Sequence, residues 1–120
     1  MQWTLNKNRP VCPQICEMLF VDIAKGEFGP DCRLPSVREL ASTLGVNPNT
    51  VQRAMETMEE QGLLYSVRGS GWYVLRDTSR SLEVLDRLRQ EKTADFFRMM
   101  ESLGMSPQEV KEFVKEWDYE

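Results

Sequence analysis

"SVRELASTLGVNPNTVQRAM", residues 36–55, is the stretch whose reading decides the fold. Ser36, followed three residues later by Glu39, is a capping box and marks the start of a helix. Val37, Leu40, Ala41 and Leu44 then recur on one helical face, and Gly45 ends the segment. Asn47 caps a second helix with Pro48 at its first position, and Gly62 stops it. That second helix has Val51, Ala54, Met55 and Met58 on one face and Asn49, Gln52, Arg53 and Glu56 on the other. Two short helices joined at Gly45-Val46 describe a helix-turn-helix. Ala41 is small where the helices would cross, and Val46 and Val51 are placed to fill the angle between them.

The flanking sequence extends this unit in both directions. Ile15, Leu19 and Ile23 predict a helix from about Pro13 to Lys25, with Gly26 as its C-cap. Residues 26–35, "GEFGPDCRLP", contain two Gly and two Pro and read as a loop. Downstream, "LLYSVRGSGWYVL", residues 63–75, reads as two β-rich runs joined by a tight Gly-Ser-Gly turn. A helix-turn-helix followed by a hairpin is a winged helix. Two more helices follow, one from about Ser81 to Leu103 and one from Ser106-Pro107, where Glu109 completes a second capping box. The expected fold is therefore mainly α with a small β-hairpin: a winged helix-turn-helix over residues 1–76 and a two-helix tail over 77–120.

Composition limits what such a chain does. At 120 residues it has room for one small domain plus an appendage. Its 41% apolar and 28% charged content describes a soluble globular protein. No apolar run approaches the roughly 20 residues that a membrane helix needs. The opening "MQWTLNKNRP" lacks the basic-then-apolar pattern of a signal peptide, so a cytoplasmic location is expected, with no membrane partner. Cys12, Cys16 and Cys32 supply at most three ligands at unsuitable spacing, and there is no histidine. They are expected to be reduced, small apolar side chains, with no metal and no cofactor. The missing histidine also removes the commonest general base, and the "GSG" at 69–71 is too short to cradle a phosphate. An enzyme is not expected.

The net charge of −4 argues against indiscriminate binding to nucleic acid, but its distribution is uneven. Residues 1–75 carry seven basic and eight acidic side chains, and residues 76–120 carry eight and eleven. Between Arg38 and Arg53 the only acid is Glu39, which leaves room for a neutral-to-basic surface there. In a helix-turn-helix, the N-terminal residues of the second helix meet base edges in the major groove. Asn and Gln pair bidentately with adenine, Arg suits guanine or phosphate, and a helix N-terminus favours a phosphate. Double-stranded DNA is the partner these side chains fit. The plainer alternative is that Asn47 and Thr50 only cap the helix while Gln52 and Arg53 are solvated.

Residues 34–74, "LPSVRELASTLGVNPNTVQRAMETMEEQGLLYSVRGSGWYV", resemble the DNA-binding domain of the GntR family of bacterial transcription regulators. The resemblance lies in LPS-x-RELA, the LGV turn, the TV of the second helix, E-x-x-GLL before the wing and R-G-x-G at its tip. Together with the first helix and loop it covers about residues 11–75. It implies that Arg38 holds phosphate, that Asn47, Asn49, Thr50 and Gln52 lie on or near the DNA, and that Arg68-Gly69 forms the wing contact. Ser36 and Arg53 complete the candidate DNA-binding set. Better-known members carry arginine at the positions of Pro48 and Gln52, so their operator does not transfer. Trp72 stands where a small polar residue is usual, and reads as hairpin packing.

The short tail is similar to that of the YtrA-type branch, which implies a homodimeric repressor of a transporter-type operon; it points to no particular effector ligand. Dimerisation also follows from the residues. Two helices cannot bury Leu82, Leu85, Leu88, Phe96, Phe97, Met100, Leu103, Val110, Phe113, Val114 and Trp117 against each other alone. An apolar surface of that size usually has a partner. The alternative is a monomer whose tail folds back on the winged helix. A winged-helix protein-interaction module without specific DNA binding is the rival function, with the −4 charge as its best support.

Overall fold

The computed structural model describes residues 3–119, so residues 1–2 and 120 at the ends of the two expected segments lie outside it. Its elements run α1 (Val11–Ala24), α2 (Val37–Leu44), α3 (Pro48–Glu60), β1 (Leu64–Val67), β2 (Gly71–Val74), α4 (Ser79–Ser102) and α5 (Pro107–Lys115). Both capping boxes form, at Ser36–Glu39 and at Ser106–Glu109. α1 begins two residues before the expected Pro13, with Pro10 at its N-cap. Pro13 thus sits inside the first turn, where amide groups have no helical acceptor and a missing N–H costs nothing. Ahead of α1 the chain folds back: Trp3 Nε1 donates to Asp22 Oδ2 at 2.7 Å, and Gln14 Nε2 donates to the carbonyl of Asn6 at 2.8 Å.

α3 is the hub of the first unit and packs on α1, α2 and β1. Ile15, Leu19, Leu40, Val51, Ala54, Met55 and Met58 are fully enclosed around it. Trp72 joins this core, in agreement with its reading as a packing residue. Gly45 is left-handed at φ 67°, which lets the chain turn sharply between α2 and α3.

β1 and β2 pair antiparallel with Val67 opposite Gly71, so the turn is Arg68-Gly69-Ser70. This lies one residue earlier than the expected Gly-Ser-Gly turn, and Gly71 belongs to the strand. A feature with no counterpart in the sequence reading backs the wing. Leu34 N–H donates to the Trp72 carbonyl at 2.8 Å, and Val74 N–H donates to the Cys32 carbonyl at 2.9 Å. The loop before α2 is therefore laced to β2 through a bridge at Arg33–Tyr73. Tyr65 and Tyr73, opposite each other, stack with centroids 5.5 Å apart. At the foot of the wing Asp31 accepts from Arg76 at 2.9 Å and from Tyr65 at 3.1 Å. The Arg76 guanidinium first, and the Tyr65 hydroxyl second, hold the Asp31 carboxyl below its ordinary range.

The chain divides between Leu85 and Asp86, within α4 and beyond the 76/77 junction expected. The first turns of α4, with Ser81 and Leu85 buried, belong to the first unit. In the second unit Leu103, Phe113, Val114 and Trp117 are exposed, as is Phe96, while Leu88, Phe97 and Met100 are half-buried. Phe113 and Trp117 touch each other at 5.7 Å between centroids. Val110 is fully buried. Leu85 and Val110 therefore leave the set of candidate partner contacts, because the single chain already covers them.

Two outcomes test this account. Gly45→Ala forces a Cβ into the left-handed region and should destabilise the protein by about 1–2 kcal/mol in urea unfolding, with Gly45→Asn costing less. A carboxyl whose folded pKa is depressed stabilises above its unfolded pKa and loses that effect as pH falls through the folded value. Asp31→Asn should therefore lower the urea midpoint at pH 7, with the deficit shrinking as pH falls below the ordinary carboxylate range.

Candidate nucleic-acid interface

With Val51, Ala54, Met55 and Met58 held in the core, α3 has no rotational freedom and its other face must point outward. Asn49, Arg53 and Glu56 are exposed on that face, Gln52 is half-buried at its edge and Thr50 is half-buried at its shoulder. Asn47 stands at the helix start, where its Oδ1 accepts the Asn49 N–H at 2.8 Å. The structure thus brings Asn47, Asn49, Thr50, Gln52 and Arg53 together along the first two turns.

Ser36 caps α2 in the same way, its hydroxyl oxygen accepting the Glu39 N–H at 3.1 Å. Both caps are engaged through their acceptors, which leaves the Ser36 hydroxyl hydrogen and the Asn47 amide hydrogens as donors. Donors at helix N-termini have the polarity a phosphate requires. Arg38 is exposed in the first turn of α2, and Arg68 and Gly69 are exposed at the wing tip.

Three further groups stand outside the expected site set, although the sequence already placed one of them, Glu56, on the outer face of α3. Lys7 Nζ donates to the Gly45 carbonyl at 3.0 Å, which puts an exposed ammonium on the turn of the helix-turn-helix. No periodicity links residues 38 positions apart. The other two are carboxylates in a cleft of about 490 Å³ between α3 and the wing, lined by Gln52, Glu56, Glu59, Ser66, Gly69 and Ser70 among others. Glu56 accepts from Gln52 Nε2 at 3.0 Å. Glu59 accepts from the Ser66 hydroxyl at 3.1 Å and its N–H at 3.3 Å. The i,i+4 spacing of Gln52 and Glu56 was the available signal.

The three cysteines are free thiols. Cys16 is buried, points its sulfur at the Ala54 carbonyl at 3.6 Å, and is pushed up to about 12 by burial, with the neighbouring Cys12 adding to the shift. No group of three or more His, Cys, Asp or Glu side chains among the described residues is placed to hold a metal ion. No helix among them is long and apolar enough to cross a membrane.

The winged helix and its polar helix start match known proteins. The pattern of the bacterial regulatory proteins of the gntR family fits residues 13–74. The chain belongs to the GntR family. Among relatives, the HTH-type transcriptional repressor YtrA of Bacillus subtilis (strain 168) is 31% identical, over 89% of this chain and 83% of its own length. A GntR family transcriptional regulator from Listeria monocytogenes superimposes with a TM-score of 0.83 at 32% identity, covering 95% of this chain and all of the other. The DNA-binding domain of AraR, solved in complex with operator ORX1, has a TM-score of 0.53 at 33% identity, over 62% of this chain and 90% of that one. This GntR chain is a DNA-binding transcriptional regulator with a mainly helical winged-helix fold, in a family of regulators and not of enzymes.

Arg38→Ala should weaken binding to matched and scrambled duplexes alike, because a contact to backbone carries no sequence information. The slope of log affinity against log salt should fall by about 1, as for one lost phosphate contact. Titrations of both duplexes at several salt concentrations measure this. A loss confined to the matched duplex would contradict it.

Proposed function

We propose that the chain is a cytoplasmic homodimeric repressor that sits on an operator of two half-sites, upstream of a transporter-type operon. The first two turns of α3 enter the major groove, with Asn47, Asn49, Thr50, Gln52 and Arg53 facing the bases. Ser36 and Arg38 take backbone phosphate, and Arg68-Gly69 of the wing reaches the adjacent groove or its phosphates. The observation that carries this reading is the outward face of α3, polar from Asn47 to Arg53 and held rigid by four buried side chains. The repressor sense rests on similarity to YtrA, itself a transcriptional repressor, and the transporter-type operon only on the resemblance of the short tail to that branch.

The homodimer rests on the second unit. Phe96, Leu103, Phe113, Val114 and Trp117 are exposed there, with Trp117 at 62% and Leu103 at 72%. Isolated apolar residues on a surface need no explanation, but five on α4, on α5 and just beyond their ends invite a partner. A second copy also resolves an affinity problem. A head with seven basic and eight acidic residues has little general attraction for DNA. Two linked heads gain from effective concentration, and their half-sites would lie one or more helical turns apart.

The test is Phe113→Glu combined with Trp117→Glu in the full chain. Sedimentation should show wild type as a dimer and the variant as a monomer. Affinity for a duplex selected from a random pool should fall by roughly 10²–10⁴. A wild-type monomer, or a variant that still dimerises, overturns the dimer. Binding that ignores sequence and salt would favour the protein-interaction module instead.

A further inference from the structure

Gln52 does not approach DNA with a free side chain. Its Nε2 donates to Glu56 Oε1 at 3.0 Å, one turn further along α3. An ionised carboxylate only accepts, so the amide nitrogen must face Glu56 and the carbonyl must face away. Glu59, the other carboxylate of the cleft, is held by Ser66 on the wing and does not compete. Gln52 is left with one N–H and both lone pairs of Oε1.

That remainder matches one purine better than the other. In the major groove adenine shows an N7 acceptor beside an N6 amino donor, while guanine shows two acceptors, N7 and O6. One donor and one acceptor satisfy adenine. An unrestrained glutamine could turn both amide hydrogens towards guanine, but here one of them is already engaged by Glu56. The Glu56 charge itself also disfavours the O6 acceptor.

Building on the DNA-binding reading above, we infer that Glu56 is a specificity-determining positioning residue. It fixes the amide of Gln52 with its carbonyl outward and restricts one base pair of each half-site to adenine over guanine. Removing it frees the amide and relaxes that choice without weakening contact with adenine.

The experiment uses the full chain and synthetic duplexes carrying the sequence that wild type selects from a random pool. The Gln52 position is the base pair whose preference Gln52→Ala flattens. Adenine, guanine or 7-deazaadenine, which lacks N7, is placed there, and wild type, Q52A, E56A and E56Q are titrated, with melting curves confirming that each is folded. Wild type should favour adenine over guanine by roughly 10-fold and lose affinity for 7-deazaadenine, whereas Q52A should not distinguish the three. E56A should bind the adenine duplex within about threefold of wild type while its adenine-to-guanine ratio falls towards about 1. E56Q, whose amide can offer Gln52 either an oxygen or an N–H, should fall between wild type and E56A. An unchanged ratio in both Glu56 variants, or an equal loss of affinity on every duplex, overturns the inference and leaves the regulator intact. So does the absence of any position that responds to Q52A. A wild type that selects no sequence at all removes the DNA-binding reading beneath it.

Discussion

The burial of one face of α3 is the constraint on which the rest of the first unit depends. Val51, Ala54, Met55 and Met58 have no exposed surface, and they are held from three sides by α1, α2 and β1. Fully burying a side chain of Val or Met size is worth about 1.5–3 kcal/mol, so rotating the helix by even a third of a turn would forfeit several kcal/mol. The outward face is thus fixed by hydrophobic burial, before any polar contact is considered. α2 serves the same end. It supplies Leu40 and Ala41 to the shared core, and the left-handed Gly45 sets the angle at which α3 leaves it.

The polar side chains at the helix starts do two jobs that do not conflict, because the jobs use opposite ends of each group. Ser36 and Asn47 accept backbone N–H groups, which stabilises each helix by about 1 kcal/mol and fixes the side chain's rotamer. Their remaining hydrogens are the ones a phosphate or base acceptor could use. The choice posed by the sequence, between cap and contact, is therefore not exclusive. Gln52 follows the same logic on the helix body, where Glu56 takes one hydrogen and leaves a donor and an acceptor.

The sequence was legible wherever structure follows from local periodicity. Ile15, Leu19 and Ile23 on α1, and all four apolar residues of α3, lie in the core as their spacing required. Capping boxes at Ser36 and Ser106 located two helix starts to the residue. What escaped was non-local or lacked a repeating pattern. The bridge from Arg33 to Tyr73 is a single residue of pairing inside a Gly- and Pro-containing loop, so no alternation announces it. Lys7 meets Gly45 only because Trp3 and Gln14 tie the segment before α1 down. Leu85 and Val110 look like the other apolar tail residues in the sequence, and only three-dimensional packing shows that one chain buries them. The outward face of α3, Glu56 included, was legible in its periodicity; the hydrogen bonds that tie Glu56 to Gln52 and Glu59 to the wing were not.

The placement of charge explains how a chain with net charge −4 can still be suited to DNA. Several acids of the head are spent internally. Glu39 closes a capping box, Asp31 holds Arg76 and Tyr65, and Glu59 ties the wing to α3. At least one oxygen of each is engaged, and the exposed cations Lys7, Arg38, Arg53 and Arg68 stand on the turn, the first two turns of α2 and α3, and the wing tip. Few cations mean few counterions released, so general affinity for duplex DNA stays low. Low background binding is an advantage for a regulator, because a genome offers a vast excess of competing sites. Discrimination must then come from base-edge contacts such as those open to Asn49 and Gln52. In the proposed homodimer, affinity would come from engaging two heads at once, and the exposed apolar residues of the second unit would then matter as much to DNA binding as the outward face of α3.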